Sequence, residues 1–415
     1  MRVFTQVASP RRRRQYQFST VAFSHPLWRF LCLYAALYAG FGVLSPYLPT
    51  LLESRNSGPE AIALVLGAGT AIRLIAGPVA GRLADILDAP KAVLAACSVA
   101  AALIALGYLQ GTGLLLLFVV AVLQSAALAP LAPLTDTLAL ASAAPHPSEG
   151  SAQQRFHYGW LRGGGSAAFI CGTLLSGQAI AQFGITAAVW LSAGLLTATA
   201  FAARLVPVLT LAIKNAARPV VADGAVRGFA ALLRLPSYRR IIFVAALILG
   251  SHAMHDSFAV IRWEAAGIGP NTIGALWSMS VAAEVVVFLF IGRPLLDRIG
   301  PAHAAMIAAA AGALRWVIMA ETTWLPALAA IQPLHGLTFA LLHLTCMRLL
   351  AQCAPRHLEA TALTVYGTVG IGLPTALLII GSGQLYSHFG AKGFFVMAAL
   401  CAVAVPFARS LREPS

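Results

Sequence analysis

Hydropathy divides the chain into about twelve apolar runs, each near the ~20 residues that an α-helix needs to cross a bilayer. They fall at about 28–52, 60–84, 91–110, 113–142, 152–180, 184–205, 240–262, 271–292, 301–320, 324–349, 358–384 and 391–410. The longest polar break runs from about Val206 to Arg239 and divides the runs into six plus six. The expected layout is a tail (1–25), a six-helix bundle (26–205), a connecting loop (206–239), a second six-helix bundle (240–410) and a short tail (411–415).

The halves echo each other. Ser176-Gly177-Gln178 recurs as Ser382-Gly383-Gln384, and Phe183-Gly184 as Phe389-Gly390. Both pairs stand 206 positions apart (383 less 177, 389 less 183). A constant offset near half the length points to duplication. Two parallel halves related by an axis along the membrane normal place a site between them near the midplane.

Composition fixes the class. The 415 residues are 59% hydrophobic and 10% charged, with a mean hydropathy of +0.81. A soluble domain carries about 25% charged residues. The chain reads as an all-α integral membrane protein with the lipid bilayer as a partner. The net charge of +14 is not a nucleic-acid signature, because no basic face interleaved with aromatics accompanies it. It reports topology instead. With the N-terminus in the cytoplasm, cytoplasmic segments hold 21 of the 28 Lys and Arg and outside loops hold 3 (Arg55, Arg262, Lys392). The positive-inside rule demands such asymmetry, and it puts both termini inside. Arg11 to Arg14 belong to a cytoplasmic tail on this reading. The rival, a twin-arginine export signal, meets a first apolar run too long for a signal peptide and without a cleavage site. Six cysteines form no C-x-x-C pair, so neither a disulfide framework nor a zinc site is indicated.

Ionisable residues inside spans are functional candidates by default. The central stretch runs from Gln153 to Ile170 and carries Arg162 followed by Gly163, Gly164, Gly165 and Ser166. An arginine in hydrocarbon costs on the order of 3 kcal/mol, so Arg162 is expected to face a wet cavity or a carboxylate. At ~1.5 Å per residue, Asp136 lies ~10 Å, Arg162 ~16 Å and Arg73 ~18 Å from the cytoplasmic side, close enough in depth to meet. Arginine suits carboxylate recognition because its planar fork binds both oxygens. A structural ion pair between spans four and five is the plainer alternative.

In the second half Glu284 stands among Val281, Ala282, Ala283 and Val285, where a carboxyl suits cyclic protonation. Arg315 is its candidate partner. His335 and His343 are eight apart, two turns on one face of span ten, and histidine titrates near neutral pH. The bland readings are helix-packing hydrogen bonds. His252, His255 and Asp256 read as a polar cluster near the outer end of span seven; H-x-x-H-D lacks a fourth metal ligand nearby. Tyr34, Tyr38 and Phe41 of span one, with Trp160, Trp277 and Trp316, are candidates for an aromatic pocket, though most membrane aromatics are packing or interface anchors.

Two loops carry a family resemblance. Gly81-Arg-Leu-Ala-Asp85-Ile-Leu-Asp-Ala-Pro-Lys91 resembles the major facilitator superfamily signature G-x-L-A-D-R-x-G-R-[RK] between spans two and three. Gly81, Leu83, Ala84 and Asp85 match; Ile86, Asp88, Ala89 and Pro90 depart. The equivalent loop, Gly292-Arg-Pro-Leu-Leu-Asp297-Arg298-Ile-Gly300, is one residue longer before the aspartate and has the Asp-Arg-x-Gly ending. Further stretches are similar to the phenylpropionate-permease-like branch, akin to the lactose and nucleoside proton symporters. These are Tyr158-Gly-x-Leu-Arg162-x-x-Gly-Ser166, Pro133-Leu-Thr-Asp136, Ser251-His252, Leu314-Arg315-Trp316 and His335-Gly336-Leu-Thr-Phe339.

The resemblance implies the major facilitator fold, twelve transmembrane helices in two pseudo-symmetric bundles. It implies secondary active transport by alternating access in a bacterial inner membrane, by a monomer that needs no metal or cofactor. The expected function is proton-coupled symport of a small organic acid. Arg162, Arg73, Tyr38, Trp160 and His335 are then the substrate-binding candidates. Glu284, Asp136, His343 and Arg315 are the proton-coupling candidates, and Gly81, Asp85, Asp297 and Arg298 the gating ones. A drug/proton antiporter and a sugar or nucleoside symporter are the alternatives in the class. A membrane sensor would show a soluble signalling domain, and an enzyme a motif such as H-E-x-x-H, G-x-S-x-G or a P-loop; none is found.

Overall fold

The computed structural model describes residues 25–110, 113–143, 156, 158–207, 222–355 and 358–411. The basic N-terminal tail, the middle of the central loop, Gln153 to Arg155 and the last four residues lie outside the described residues. The rest is almost entirely helical. Ten helical stretches are long and apolar enough to cross a membrane. They are α1 (His25–Leu44), α2 (Pro59–Ile86), α3 (Pro90–Gln110), α4 (Leu114–Ala143), α5 (Tyr158–Phe183), α6 (Thr186–Leu205), α7 (Pro236–Ala265), Pro270–Glu321, Leu325–Cys353 and Thr361–Arg409.

Two stretches are double. Pro270–Glu321 has 52 residues and is broken at Gly300, whose φ of 76° no helix tolerates. It divides into α8 (270–299) and α9 (301–321). Thr361–Arg409 turns at Gly390, with φ 54°, giving α11 (361–389) and α12 (Phe394–Arg409) around α10 (Leu325–Cys353). The path is consistent with twelve passes. It differs from the sequence expectation in two places. The expected loop 206–239 contains a helix, Ala222–Arg234, packed against the start of α7. And the seventh span runs from Pro236 to Ala265, with a turn at Ser251-His252 in its middle.

Within the first half, α1 packs on α5 and α6, and α3 on α4 and α6. In the second, α9 packs on α12, and α7 on α11 and α12. Small residues bring backbones together: a Cβ on Gly172 would lie 2.4 Å from the Ala39 carbonyl oxygen. Thr173 Oγ1 and Ser176 Oγ donate to the Gly42 and Val43 carbonyls (3.0 and 2.8 Å), tying α5 to α1. Large apolar side chains such as Ile75, Leu115 and Phe183 point outward, as a lipid-facing surface requires.

The halves meet along α2–α11 and α5–α8. The close approaches sit in the half of the molecule remote from the chain termini. A Cβ on Gly177 would stand 2.7 Å from the Pro270 carbonyl oxygen; one on Gly383 would stand 2.5 Å from Ala63 Cβ and 3.0 Å from the Pro59 carbonyl oxygen. Thus the duplicated Ser-Gly-Gln of each half meets the Gly-Pro that opens a helix of the other half, Gly269-Pro270 and Gly58-Pro59. The prolines sit at the first helical turn, where their missing N–H costs nothing. Tyr47 Oη donates to the Pro270 carbonyl across the same seam (2.9 Å). Toward the termini, a methyl added to Gly81 or Gly163 would meet nothing within 4 Å. The far end is shut and the terminal end is parted.

Candidate functional site

Between the halves lies a cavity of about 470 Å³. α2 contributes Arg73, α7 His252, His255 and Asp256, α9 Arg315, and α10 His335. A larger apolar groove of about 850 Å³ runs between α3 and α6, with Lys91 and Arg204 at one end. It carries no acid and no histidine, so the chemistry belongs to the central cavity.

Arg315 organises the second half. Its side chain is 0% exposed, and a guanidinium so placed needs acceptors on every side. Nη1 donates to His335 Nδ1 (3.1 Å); Nη2 donates to Gln332 Oε1 (3.0 Å), His255 Nε2 (3.3 Å) and Ser280 Oγ (3.4 Å). Ser280 Oγ donates to the same Gln332 oxygen (2.7 Å), and the guanidinium carbon lies 4.8 Å from the Trp316 ring centroid. Arginine has no acceptor, so both histidines accept from it and each keeps its hydrogen on the other nitrogen. His335 Nε2 then faces Glu284 Oε2 (3.4 Å), and His255 Nδ1 faces Asp256 Oδ1 (3.2 Å). The result is one chain: Asp256, His255, Arg315, His335, Glu284. Asp256 closes it toward the cavity, with its side chain 50% exposed there. His252 abuts the chain, its Nε2 3.0 Å from Thr338 Oγ1 and its ring packed edge-on to Trp316.

Helix irregularities aim these groups. π-helical turns occupy Val287–Ile291, Gly336–Leu341 and Tyr366–Gly372. Glu284 and His335 each stand just before one. Such turns recur at functional sites because the wider ring rotates the faces of the helix on either side. His335, Phe339 and His343 stack in sequence, at centroid separations of 5.5 and 6.2 Å, and so share one face. His343 Nδ1 ends on the Tyr366 hydroxyl (3.1 Å).

The first half has a smaller network. Tyr34 Oη donates to Asp136 Oδ1 (2.5 Å), and Arg162 Nη1 lies 3.8 Å from Asp136 Oδ2. Arg162 also donates to the Tyr38 hydroxyl and lies 5.2 Å from its ring centroid. Tyr34 and Tyr38 stack at 5.7 Å. Arg162 therefore faces a carboxylate and two phenols. Its charge also reaches Glu284 across the interface.

Several sequence expectations change. Arg73 does not join Asp136 and Arg162; it lines the central cavity with no hydrogen bond or ion pair among the described residues. Arg315 does not pair with Glu284 directly, because His335 stands between them. His252, His255 and Asp256 are not near an end of span seven: that span is longer than expected, which places them in its middle. Trp160 is 68% exposed and lines none of these cavities. Among the gating candidates, Asp297 binds Arg348 (2.6 Å) within its own half. Arg298 lies exposed beside it, and Asp85 and Gly81 border a separate pocket of about 190 Å³ built by the first half alone. Asp88 occupies the motif's glycine position with φ 48°, the turn that Gly300 makes in the second half. Gln332 and Ser280 escaped sequence reading. Gln332 precedes His335 by one helical turn, a spacing that in retrospect puts its amide beside the same cation. Among the described residues no group of three or more His, Cys, Asp or Glu is placed to hold a metal.

Two helical halves enclosing a polar chamber within an apolar exterior define a multi-pass membrane transporter. The chain belongs to the MFS_1 like family, whose model matches residues 27–397. The probable 3-phenylpropionic acid transporter of Escherichia coli (strain K12) is 32% identical over 400 residues, 93% of this chain and 98% of that protein. The maltose permease of Geobacillus stearothermophilus is 27% identical over 388 residues, 91% of each. The crystal structure of the nucleoside transporter NupG superposes with a TM-score of 0.79 at 16% identity, covering 92% of this chain and 98% of that one. At that identity the likeness speaks for the fold alone.

Proposed function

We propose that this transporter is a proton-coupled symporter of a small organic acid with an apolar or aromatic body, working by alternating access. Both termini face the cytoplasm, and the membrane is the bacterial inner membrane. The charge asymmetry of the loops supports that orientation. The observation that carries the reading is the buried chain from Asp256 to Glu284 opening on a chamber shared with Arg73 of the other half. Carboxylates and neutral histidines in hydrogen-bonding sequence take up and pass on a proton. The closed far end and parted terminal end fit one of the two states such a carrier visits. The Asp136–Arg162 pair and its tyrosines form the rest of the polar wall. The relative in Escherichia coli, by its name an aromatic-acid transporter, supports the substrate class.

The test is uptake by proteoliposomes of 3-phenylpropionate, phenylacetate and benzoate, beside maltose and uridine. An acidic outside should drive accumulation of at least one acid above the equilibrium level. Accumulation of none of the acids, or indifference to the pH gradient, overturns the reading.

A further inference from the structure

We infer that one substrate carboxylate binds Arg73 for each proton taken up by the Asp256–Glu284 chain, so that transport moves no net charge. The inference rests on the function proposed above and deepens it. Arg73 is the one place where the chamber presents a cation whose hydrogen-bonding capacity is unspent among the described residues. Arg162 already has Asp136 and Tyr38, and Arg315 already has two histidines, a serine and a glutamine. Around Arg73 the cavity wall is apolar or hydroxylic, with Leu48, Gly69, Thr70 and Ser125 in reach; its electrostatic neighbour Tyr108 is a phenol. A guanidinium in such a place has donors to give and no carboxylate to receive them, and a substrate carboxylate supplies both oxygens.

Charge balance then sets the ratio. The chamber and its chain hold Arg73 and Arg315 against Asp256 and Glu284, with His252, His255 and His335 neutral by their hydrogen bonding. Asp136 and Arg162 cancel each other. The empty chamber is therefore neutral. An anion alone leaves it one charge negative; a proton alone leaves it one charge positive. An enclosed space of low dielectric penalises both. Only the empty form and the form carrying one anion with one proton are neutral, so only these two close and cross. On uptake the proton joins a carboxylate of the chain, and on release it leaves to the other side with the acid anion; no bond of the substrate changes.

The experiment uses the full-length protein in proteoliposomes, with the most strongly accumulated acid of the panel above and its primary amide. Wild-type uptake of the acid should respond to a pH gradient and be indifferent to a potassium–valinomycin potential. Arg73→Gln should raise KM for the acid on the order of 10²-fold, the loss of a charge-assisted pair. It should leave any binding of the amide within about threefold, and Arg73→Lys should recover part of the acid affinity. Acid uptake that follows the pH gradient but also carries current in the wild type overturns the inference and spares the proposed function. So does an Arg73→Gln protein that is folded, as judged by its thermal unfolding, and binds the acid normally. Failure of every acid to accumulate overturns both.

Discussion

The two glycine seams at the far end offer the sharpest test of how the halves move. Alanine at Gly177 sets its methyl 2.7 Å from the Pro270 carbonyl oxygen. Alanine at Gly383 sets one 2.5 Å from Ala63 Cβ and 3.0 Å from Glu60 Cα. Carbon contacts prefer ~3.5–4.0 Å, and most of these neighbours are backbone, which cannot swing away. Overpacking of this kind costs ~1–3 kcal/mol per site, so the pair destabilises the shut far end by about 4 kcal/mol. Helix propensity gained by alanine is common to both states and cancels. At ~1.4 kcal/mol per tenfold, the closed-to-open ratio of the far end falls about a thousandfold. The assay is the distance between spin labels on a cysteine-free background. One pair sits across the far seam at Ser54 and Asn271, another across the terminal end at Asp88 and Arg298. In the double variant the first distance should lengthen and the second shorten. Gly194→Ala, where a methyl meets nothing within 4 Å, is the control and should move neither. Unchanged distances in a folded double variant refute the seam as the element that holds this state.

Three further outcomes follow from the site. Glu284→Gln should reduce acid-driven accumulation by about 10²-fold, the size of a positioned proton-transfer group, while substrate exchange persists; intact gradient-driven accumulation counts against it. Arg315→Met removes a fully buried cation from two histidines and two carboxylates and should cost ~3–5 kcal/mol, read as a lowered unfolding midpoint in detergent; adding Asp256→Asn and Glu284→Gln should restore part of it. Asp88→Gly should raise the midpoint, because a left-handed turn costs an L-residue ~1–2 kcal/mol and a glycine almost nothing.

Some of this was legible in the sequence and some was not. Helix number and the six-plus-six division follow from apolar run length alone, since a bilayer admits few other solutions. Counting residues also brought Asp136 and Arg162 to nearly one depth, and they pair. The same counting misjudged Arg73, because depth says nothing about which way a helix faces. Glu284 and Arg315 differ in the same manner: a π-helical turn beside each carboxylate and histidine redirects the side chains, and no hydrophobic period records it. His252, His255 and Asp256 were placed too near a membrane surface because Arg262 looked like a span end. The arginine instead donates to the Ala320 carbonyl (3.3 Å), which lets the helix continue past it. Trp160 illustrates the reverse error, since an aromatic beside a functional arginine lies on a different face one step along the helix.

The π-helical turn at Val287–Ile291 also explains an oddity of the duplication. Pro270 follows Pro59 by 211 positions (270 less 59), whereas Asp297 follows Asp85 by 212 (297 less 85). One residue has entered the second copy somewhere between these landmarks, and the wider turn, whose ring holds one residue more than an α-turn, lies in that interval. The helix swallowed the insertion without lengthening its loop. Glu284, one turn upstream, was thereby swung relative to the gate segment downstream, and two copies of one ancestral bundle came to hold their acids at different bearings.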